Sequence, residues 1–396
     1  MNQKIKIVNG KIITTRRILP QGSLLIEGNR ITAVSENTIS AAADITIDAE
    51  GNYISPGFID IHIHGGGGSD FMDGTVDAFL KIAETHSRFG TTAMVPTTLT
   101  SEKENLLHIL NTYRQAAPLN HNGARFLGMH IEGPYFALSQ KGAQDPRYIR
   151  KPDQNEYSEI IEKSGDVIAR WSAAPELEGA LEFGRYLRSN NILAAIAHTD
   201  ALYDDVVKAS ENGYSLATHF YSSMSGVTRR NAYRYAGVVE SVYLMDEIKV
   251  EIIADGSHLP APLLQLIHKI KGASNTALIT DAMRAAGTAD TESILGPIDN
   301  GLPVIIEDGV AKLPDRTSFA GSVATTDRLV RTMVRKAGVS LVEAVAMMSI
   351  TPAGIMGVAG STGSLSAGKY ADVVIFDDDI HVLTTFVDGN IVFNKM

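Results

Sequence analysis

The 396-residue chain contains no cysteine, which excludes disulfides, thiolate metal ligands and a cysteine nucleophile. Histidine and carboxylate remain as the metal-ligating groups. Basic side chains are also scarce relative to acidic ones. Thirty-five Lys and Arg against 45 Asp and Glu give a formal charge of −10, and no long basic run occurs, so no nucleic-acid partner is expected. A local basic pocket for a small anion stays open. Long uninterrupted apolar runs are missing as well. Met1 to Gly10 passes straight into a strand-like alternation, without the apolar core of a signal peptide or a spanning helix. A cytoplasmic protein with no membrane partner is expected. No internal repeat or low-complexity tract interrupts the chain. What is present is an ordinary globular composition, 44% hydrophobic, long enough for one large barrel and a smaller module.

Both ends read as short strands with turns between them: Lys4 to Val8, Ser23 to Ile26, Ile31 to Val34 and Ile45 to Asp48 at the start, then Val382 to Val387 and Ile391 to Phe393 around Asp388-Gly-Asn390. Residues 1–55 and 360–396 are therefore expected to pair into one small antiparallel β domain, a β-sandwich. Between them, residues 56–359 alternate apolar strands with amphipathic helical stretches. Eight strand candidates are Phe58 to His64, Thr91 to Pro96, Ala124 to His130, Val167 to Ala173, Ile192 to Ala197, Ser215 to Thr218, Lys249 to Ala254 and Thr276 to Thr280. Helical stretches fall at Val76 to Phe89, Glu102 to Gln115, Leu177 to Ser189, Tyr203 to Asn212, Pro262 to Lys271, Asp327 to Lys336 and Leu341 to Met348. The fold class is α/β, and the count favours a (β/α)8 TIM barrel over a doubly wound sheet. Residues 284–322, with Pro297, Pro303, Asp308-Gly309 and Pro314, read as a long loop with a hairpin.

The stretch Ser55 to Ser69 organises the rest. Asp60, His62 and His64 alternate with isoleucines, so two imidazoles leave one end of a strand on the same face, and four glycines follow. Later strands add His130 and Glu132, His198, His219, Asp255 with His258, and Asp281 at their carboxyl ends, the rim where barrel active sites sit. Five strands ending in histidine or carboxylate, with no cysteine available, point to a metal site of nitrogen and oxygen donors. For His198 and His219 the alternative is a hydrogen-bonded core histidine; for Asp281 and His258 it is a helix cap.

This constellation resembles the amidohydrolase superfamily and, within it, the family of N-acetylglucosamine-6-phosphate deacetylases. The residues that carry the resemblance are Pro56-Gly-Phe-Ile-Asp60, His130-Ile-Glu-Gly-Pro-Tyr-Phe136, Lys141-Gly-Ala143, Ala197-His198, Thr218-His219, Asp255-Gly256 with His258, Thr280-Asp-Ala-Met283, Ala320-Gly-Ser322, Gly363-Ser-Leu, Gly368-Lys and Ala371-Asp. The resemblance implies that Glu132, His198 and His219 hold a principal divalent metal (Zn, Fe, Mn, Co or Ni). His62 and His64 would hold a second beside Glu132, so one or two ions per subunit are expected. Asp281 would then be the general base and acid, and His258, or the metal, would stabilise the oxyanion.

It further implies a phosphorylated amino sugar as the small-molecule partner and a homodimer as the assembly. Arg230, eleven residues after His219, would take the phosphate, with the adjacent Arg229 and then Arg147 and Arg150 as further candidates. Ala143, Ser222, Ser223 and the Phe319-Ala320-Gly321 turn match positions lining the sugar site, and Gln144 is expected to hydrogen-bond a sugar hydroxyl. Two departures touch sugar preference: Gln144 stands where the family has histidine, and Ser222-Ser223 where it has Asn-Ala. Deacetylation of an N-acetylgalactosamine 6-phosphate, a cyclic-amide or dipeptide hydrolase, and a non-catalytic scaffold are the competing readings. The last would be marked by lost ligands, and none is lost.

Overall fold

The computed structural model describes residues 3–396, so positions 1 and 2 of the expected small β domain lie outside it. Both chain ends enter one hydrogen-bonded sheet. Tyr53–Pro56 pairs antiparallel with Val373–Phe376, and this joins the amino-terminal strands Lys4–Ile13, Ile18–Glu27 and Arg30–Ser35 to the carboxyl-terminal hairpin Val382–Val387 and Asn390–Asn394. The expected purely antiparallel pairing is corrected at two places, because Ile45–Asp48 and Tyr53–Pro56 both run parallel to Lys4–Ile13. Ile7, Ile12, Ile26, Ile54 and Ile375 are fully buried in this sheet's own apolar core.

The middle of the chain places its parallel strands in two arcs. One contains Phe58–Ile63, Thr91–Pro96 and Arg125–Phe126; the other runs Met129–Glu132, Ile168–Ala173, Leu193–Ile196, Tyr214–Ala217, Lys249–Ile253 and Thr276–Ile279. We number these strands one to eight, the third being split. The arcs meet at two seams. At one, Thr97 bridges His130 in parallel register; at the other, the Asp281 N–H donates to the His62 carbonyl at 3.0 Å. Strand one is buried on both faces along its whole length, as befits a parallel strand covered by helices. Phe79, Trp171, Phe183, Leu264 and Met333 belong to the large apolar core.

Strand three differs from the expected Ala124 to His130. It breaks at Gly128, whose φ of 99° no longer continues an extended chain, and where a Cβ would lie 2.7 Å from that of Ala169. Pairing resumes at Met129, so His130 and Glu132 lie within a strand and not beyond its end. The helices Gln154–Ser164, Val238–Leu244 and Ile350–Ile355 were not expected. Residues 284–322 form a four-stranded antiparallel sheet, Glu292–Leu295, Leu302–Glu307, Val310–Lys312 and Phe319–Ser322, in place of a loop with one hairpin. The Asp308-Gly309 turn is where the sequence put it, with positive φ at both residues. No described helix is long and apolar enough to cross a membrane.

Candidate active site

Five side chains converge at the carboxyl ends of the parallel strands, and Glu132 is common to two groups of three. His62, His64 and Glu132 form one group and Glu132, His198 and His219 the other, with the donor atoms of each group lying within 4.8 Å of one another. Glu132 Oε1 is 3.0 Å from His219 Nε2, 3.4 Å from His198 Nε2 and 3.5 Å from His62 Nε2, while Oε2 is 3.5 Å from His64 Nε2. Asp281 Oδ1 completes the cluster at 3.1 Å from His64 Nε2 and 3.5 Å from His62 Nε2.

The donor set fits a divalent cation on its own chemistry. His198 Nδ1 meets the Gln140 carbonyl at 2.8 Å, and a carbonyl only accepts, so Nδ1 carries the hydrogen and Nε2 of the neutral ring presents a lone pair. That Nε2 lies 3.2 Å from His219 Nε2, and His62 Nε2 lies 3.3 Å from His64 Nε2. Nitrogen pairs and a carboxylate pointed at shared points form a typical nitrogen and oxygen coordination shell.

Electrostatics set the protons. Burial drives Glu132 towards the neutral form, but His62, His198 and His219 outweigh it and hold the carboxyl well below the usual range. Asp281 is lowered too, since His62 and His64 overcome its burial. Burial disfavours charge on His64, yet its bond to Asp281 and the nearby Glu132 push the ring up to about 9. His62 stays below its ordinary value because burial dominates. His130 is held well below it, by burial and then by Arg170. Its Nε2 is bonded to Ser172 Oγ at 2.7 Å, and its ring meets the His62 ring edge-on with centroids 4.7 Å apart. His130 therefore supports His62 and is absent from both candidate groups of ligands.

Local backbone shape aims the site. His198, His219 and Asp281 have φ of 47°, 32° and 48°, a left-handed region that costs about 1–3 kcal/mol per non-glycine residue. Main-chain bonds on either side fix each bend: Thr199 N–H to the Ser223 carbonyl at 3.0 Å, Phe220 N–H to the Glu251 carbonyl at 2.7 Å, and Met283 N–H to the Ser322 carbonyl at 2.8 Å. Beneath the cluster, Arg170 and Glu251 form a fully buried pair, Nη2 to Oε2 at 2.8 Å, with Glu251 Oε2 3.9 Å from His62 Nδ1. Sequence reading passed over both. An arginine inside strand four and a glutamate inside strand seven, each amid apolar residues, were the available signal.

A cavity of about 490 Å³ opens above the ligands. His64, Glu132, His198, His219, His258 and Asp281 line it, as do the expected Ala143, Gln144, Ser222, Ser223, Phe319 and Gly321. Ala320 is buried in an adjoining apolar cluster instead. His258 Nδ1 is bonded to Asp255 Oδ2 at 2.8 Å, and its ring lies 4.5 Å from that of Phe319.

The surroundings of two expected residues differ. Gln144 lines the cavity but spends one N–H and one lone pair inside the protein, because Nε2 donates to Glu132 Oε2 at 2.6 Å and Oε1 accepts from the Thr100 N–H at 2.9 Å. Arg230 does not line the cavity of its own chain. It lies on an exposed hairpin, Thr228–Arg230 with Tyr233–Tyr235, beside the Tyr235 ring, and Arg229 faces Arg234 across the same hairpin. Arg147 is paired with Asp145 and Arg150 with Glu156. Lys312 and Arg316, which sequence reading did not single out, do line the cavity.

A family model described as "Amidohydrolase family" matches residues 53–392. The chain is 34% identical over 341 residues to an N-acetylglucosamine-6-phosphate deacetylase of Vibrio furnissii, covering 86% of this chain and 83% of that protein. It is 32% identical over 384 residues to an N-acetylgalactosamine-6-phosphate deacetylase of Escherichia coli O157:H7, covering 96% and 98%. Among solved structures, a mutant N-acetyl-D-glucosamine-6-phosphate deacetylase from Mycobacterium smegmatis in complex with N-acetyl-D-glucosamine 6-phosphate superposes with a TM-score of 0.90 at 29% identity, covering 99% of this chain and 100% of that one.

Proposed function

The chain belongs to the amidohydrolase family, and on that premise we propose that it is a metal-dependent deacetylase converting N-acetyl-D-glucosamine 6-phosphate and water to glucosamine 6-phosphate and acetate. The observation that carries the reading is Glu132 shared between two ligand groups, with Asp281 beside them, in a cavity of about 490 Å³. Glu132, His198 and His219 would hold the principal divalent ion (Zn, Fe, Mn, Co or Ni), and His62, His64 and Glu132 a second.

A bound divalent ion lowers the pKa of water and polarises an amide carbonyl. Asp281, ionised and at the cavity wall, accepts the proton of the attacking water as oxygen bonds to the acetyl carbon. It then delivers that proton to the amide nitrogen as the carbon–nitrogen bond breaks, so one carboxylate serves both halves. His258, its Nδ1–H held by the Asp255 carboxylate, stabilises the developing oxyanion as the doubly protonated ring, with Nε2–H as the donor. Ala143, Ser222, Ser223, Phe319 and Gly321 face the sugar.

The two arcs of strands are taken as one (β/α)8 barrel over residues 56–359, and residues 1–55 with 360–396 as the small β-sandwich domain. The protein acts as a cytoplasmic homodimer, with Arg230 of each subunit reaching its neighbour's phosphate. Ser222-Ser223 in place of Asn-Ala favours a test of the galacto epimer as a second reading.

Elemental analysis of the purified protein, with acetate release measured on gluco and galacto N-acetyl sugars with and without the 6-phosphate, tests the reading. Metal at one or two equivalents and acetate from the 6-phosphates alone are expected. Acetate from none of the four sugars rejects it.

A further inference from the structure

Beneath the ligand cluster the strands enclose a charge pair that the proposed chemistry leaves unused. Strand four reads Ile168-Ala-Arg-Trp-Ser-Ala173, and its alternation turns Arg170 and Ser172 to one face while Trp171 joins the large apolar core on the other. Arg170 meets Glu251 of strand seven there, both side chains fully buried. Taking two charges out of water is costly, and apolar side chains of similar volume often serve a core as well or better. The place of the pair therefore needs a reason other than stability.

Its contacts end beside metal ligands. Arg170 Nη1 donates to the Ile61 carbonyl at 3.0 Å, one residue before His62. Nη2 donates to Glu251 Oε2 at 2.8 Å and to Thr218 Oγ1 at 3.0 Å, one residue before His219. Glu251 Oε2 in turn faces His62 Nδ1 at 3.9 Å, within reach of charge–dipole attraction and beyond a hydrogen bond. The two histidines differ in what else holds them. Thr218 Oγ1 has a second partner in Ser172 Oγ at 3.0 Å, and the Phe220 N–H donates to the Glu251 main-chain carbonyl at 2.7 Å, whatever the side chain. His62 Nδ1 is buried without a hydrogen-bond partner. On the other side of that ring, Nε2 lies 3.5 Å from Glu132 Oε1 and 3.3 Å from His64 Nε2. A neutral imidazole that offers its Nε2 lone pair there carries its hydrogen on Nδ1. In the second group of ligands the Gln140 carbonyl receives that hydrogen from His198. For His62 the group on the corresponding side is the Glu251 carboxylate.

We infer that Glu251, braced by Arg170, is a positioning residue for His62, holding the ring with its hydrogen on Nδ1 and its lone pair on Nε2 and so setting the affinity of the second metal site. The inference rests on the proposed reading that His62, His64 and Glu132 hold a second ion. The site of Glu132, His198 and His219 does not require the pair, since His198 has its own acceptor and the strand bearing His219 is tied through main chain and Ser172.

The test is stepwise extraction of cobalt(II) from the fully loaded protein by a chelator of known affinity, followed by visible absorption, in wild type, His62→Ala, Glu251→Gln and the double variant Arg170→Met with Glu251→Leu. Wild type should release two ions in separable steps, and His62→Ala should lack one of them. Glu251→Gln keeps the volume and an acceptor oxygen without the charge; the double variant keeps the volume without polar groups. In both, the dissociation constant of the step missing from His62→Ala should rise roughly 10–100-fold, more in the double variant, with the other step unchanged. In urea melts with excess chelator the double variant should be no less stable than wild type, which separates positioning from a structural role. Both steps weakened alike, the His62 step unchanged in both variants, or failure of both variants to fold assigns the pair to the fold alone and overturns the inference. A single step in wild type removes the second site and the inference with it, whereas acetate release by that one-ion protein leaves the deacetylase reading standing.

Discussion

Gln144 holds the carboxylate on which both ligand groups depend. Its Nε2 donates to Glu132 Oε2 at 2.6 Å while its Oε1 is fixed by the Thr100 N–H, so the loop after strand two sets the rotation of the Glu132 carboxylate. Oxygen Oε1 is thereby left facing His198 and His219. Such outer partners of a ligand commonly change metal affinity about 10–100-fold. Gln144→Ala should raise the metal dissociation constant by that order, read by competition with a coloured chelator, in a protein of unchanged circular dichroism. An unaltered constant would mean that the histidines alone orient Glu132.

Asp281 has a different task. Burial opposes its charge, His62 and His64 restore it, and its carboxylate lines the cavity that the substrate enters. Asp281→Asn keeps the volume and removes the proton carrier. Turnover should fall by orders of magnitude, roughly 10²-fold or more, at unchanged content of the metal held by Glu132, His198 and His219. Near-normal turnover sinks the assigned role.

A pH dependence of stability follows from His86, outside the ligand set. It is fully buried in the helix Val76–Ser87, its Nε2 donates to the Gly65 carbonyl at 3.0 Å, and burial lowers its pKa to about 4. The unfolded chain takes up the proton near pH 6.5 and the folded protein only near 4. The stabilisation is thus complete above pH 6.5 and is lost as pH falls towards 4. A gap of that size corresponds to roughly 3 kcal/mol over the whole window. His86→Gln, which keeps a donor for Gly65 without the titration, should lose about 2 kcal/mol less than wild type between pH 7 and pH 5 in urea melts. Metal-ligand titration is common to both proteins and cancels in the difference. Equal acid sensitivity contradicts the assignment.

Legibility from sequence followed physical range. His62 and His64 were readable because period-two alternation is local, and Gln154–Ser164 was readable in principle from the cap that Asp153 gives the Glu156 N–H, although a polar stretch such as Gln-Asn-Glu-Tyr-Ser hid it. Left-handed φ at His198, His219 and Asp281 is imposed by neighbouring strands and leaves no mark on residue type. The double occupancy of Gln144 depends on Thr100 and Glu132 meeting in space, which no spacing announces. The same holds for Lys312 and Arg316, whose place in the cavity wall comes from a sheet that folds residues 292–322 back over the strand ends.

Arg230 makes the sharpest demand on assembly. Its hairpin stands clear of its own cavity and exposes Val227, Tyr233 and Tyr235, apolar surface that a second copy of the chain would cover. If each Arg230 serves the neighbouring site, an Arg230→Ala subunit retains a competent Asp281 and lacks only the arginine donated to it, whereas an Asp281→Asn subunit donates a good arginine to a dead site. Equal mixing with random reassociation then makes half the dimers mixed, each with one complete site, so about a quarter of all sites regain wild-type kcat/KM for the 6-phosphate. Kinetics after co-refolding or slow exchange, with light scattering to confirm the dimer, checks this. Activity equal to the average of the two parent variants would place Arg230 in its own subunit's function or in none, and a monomer in scattering would remove the partner altogether.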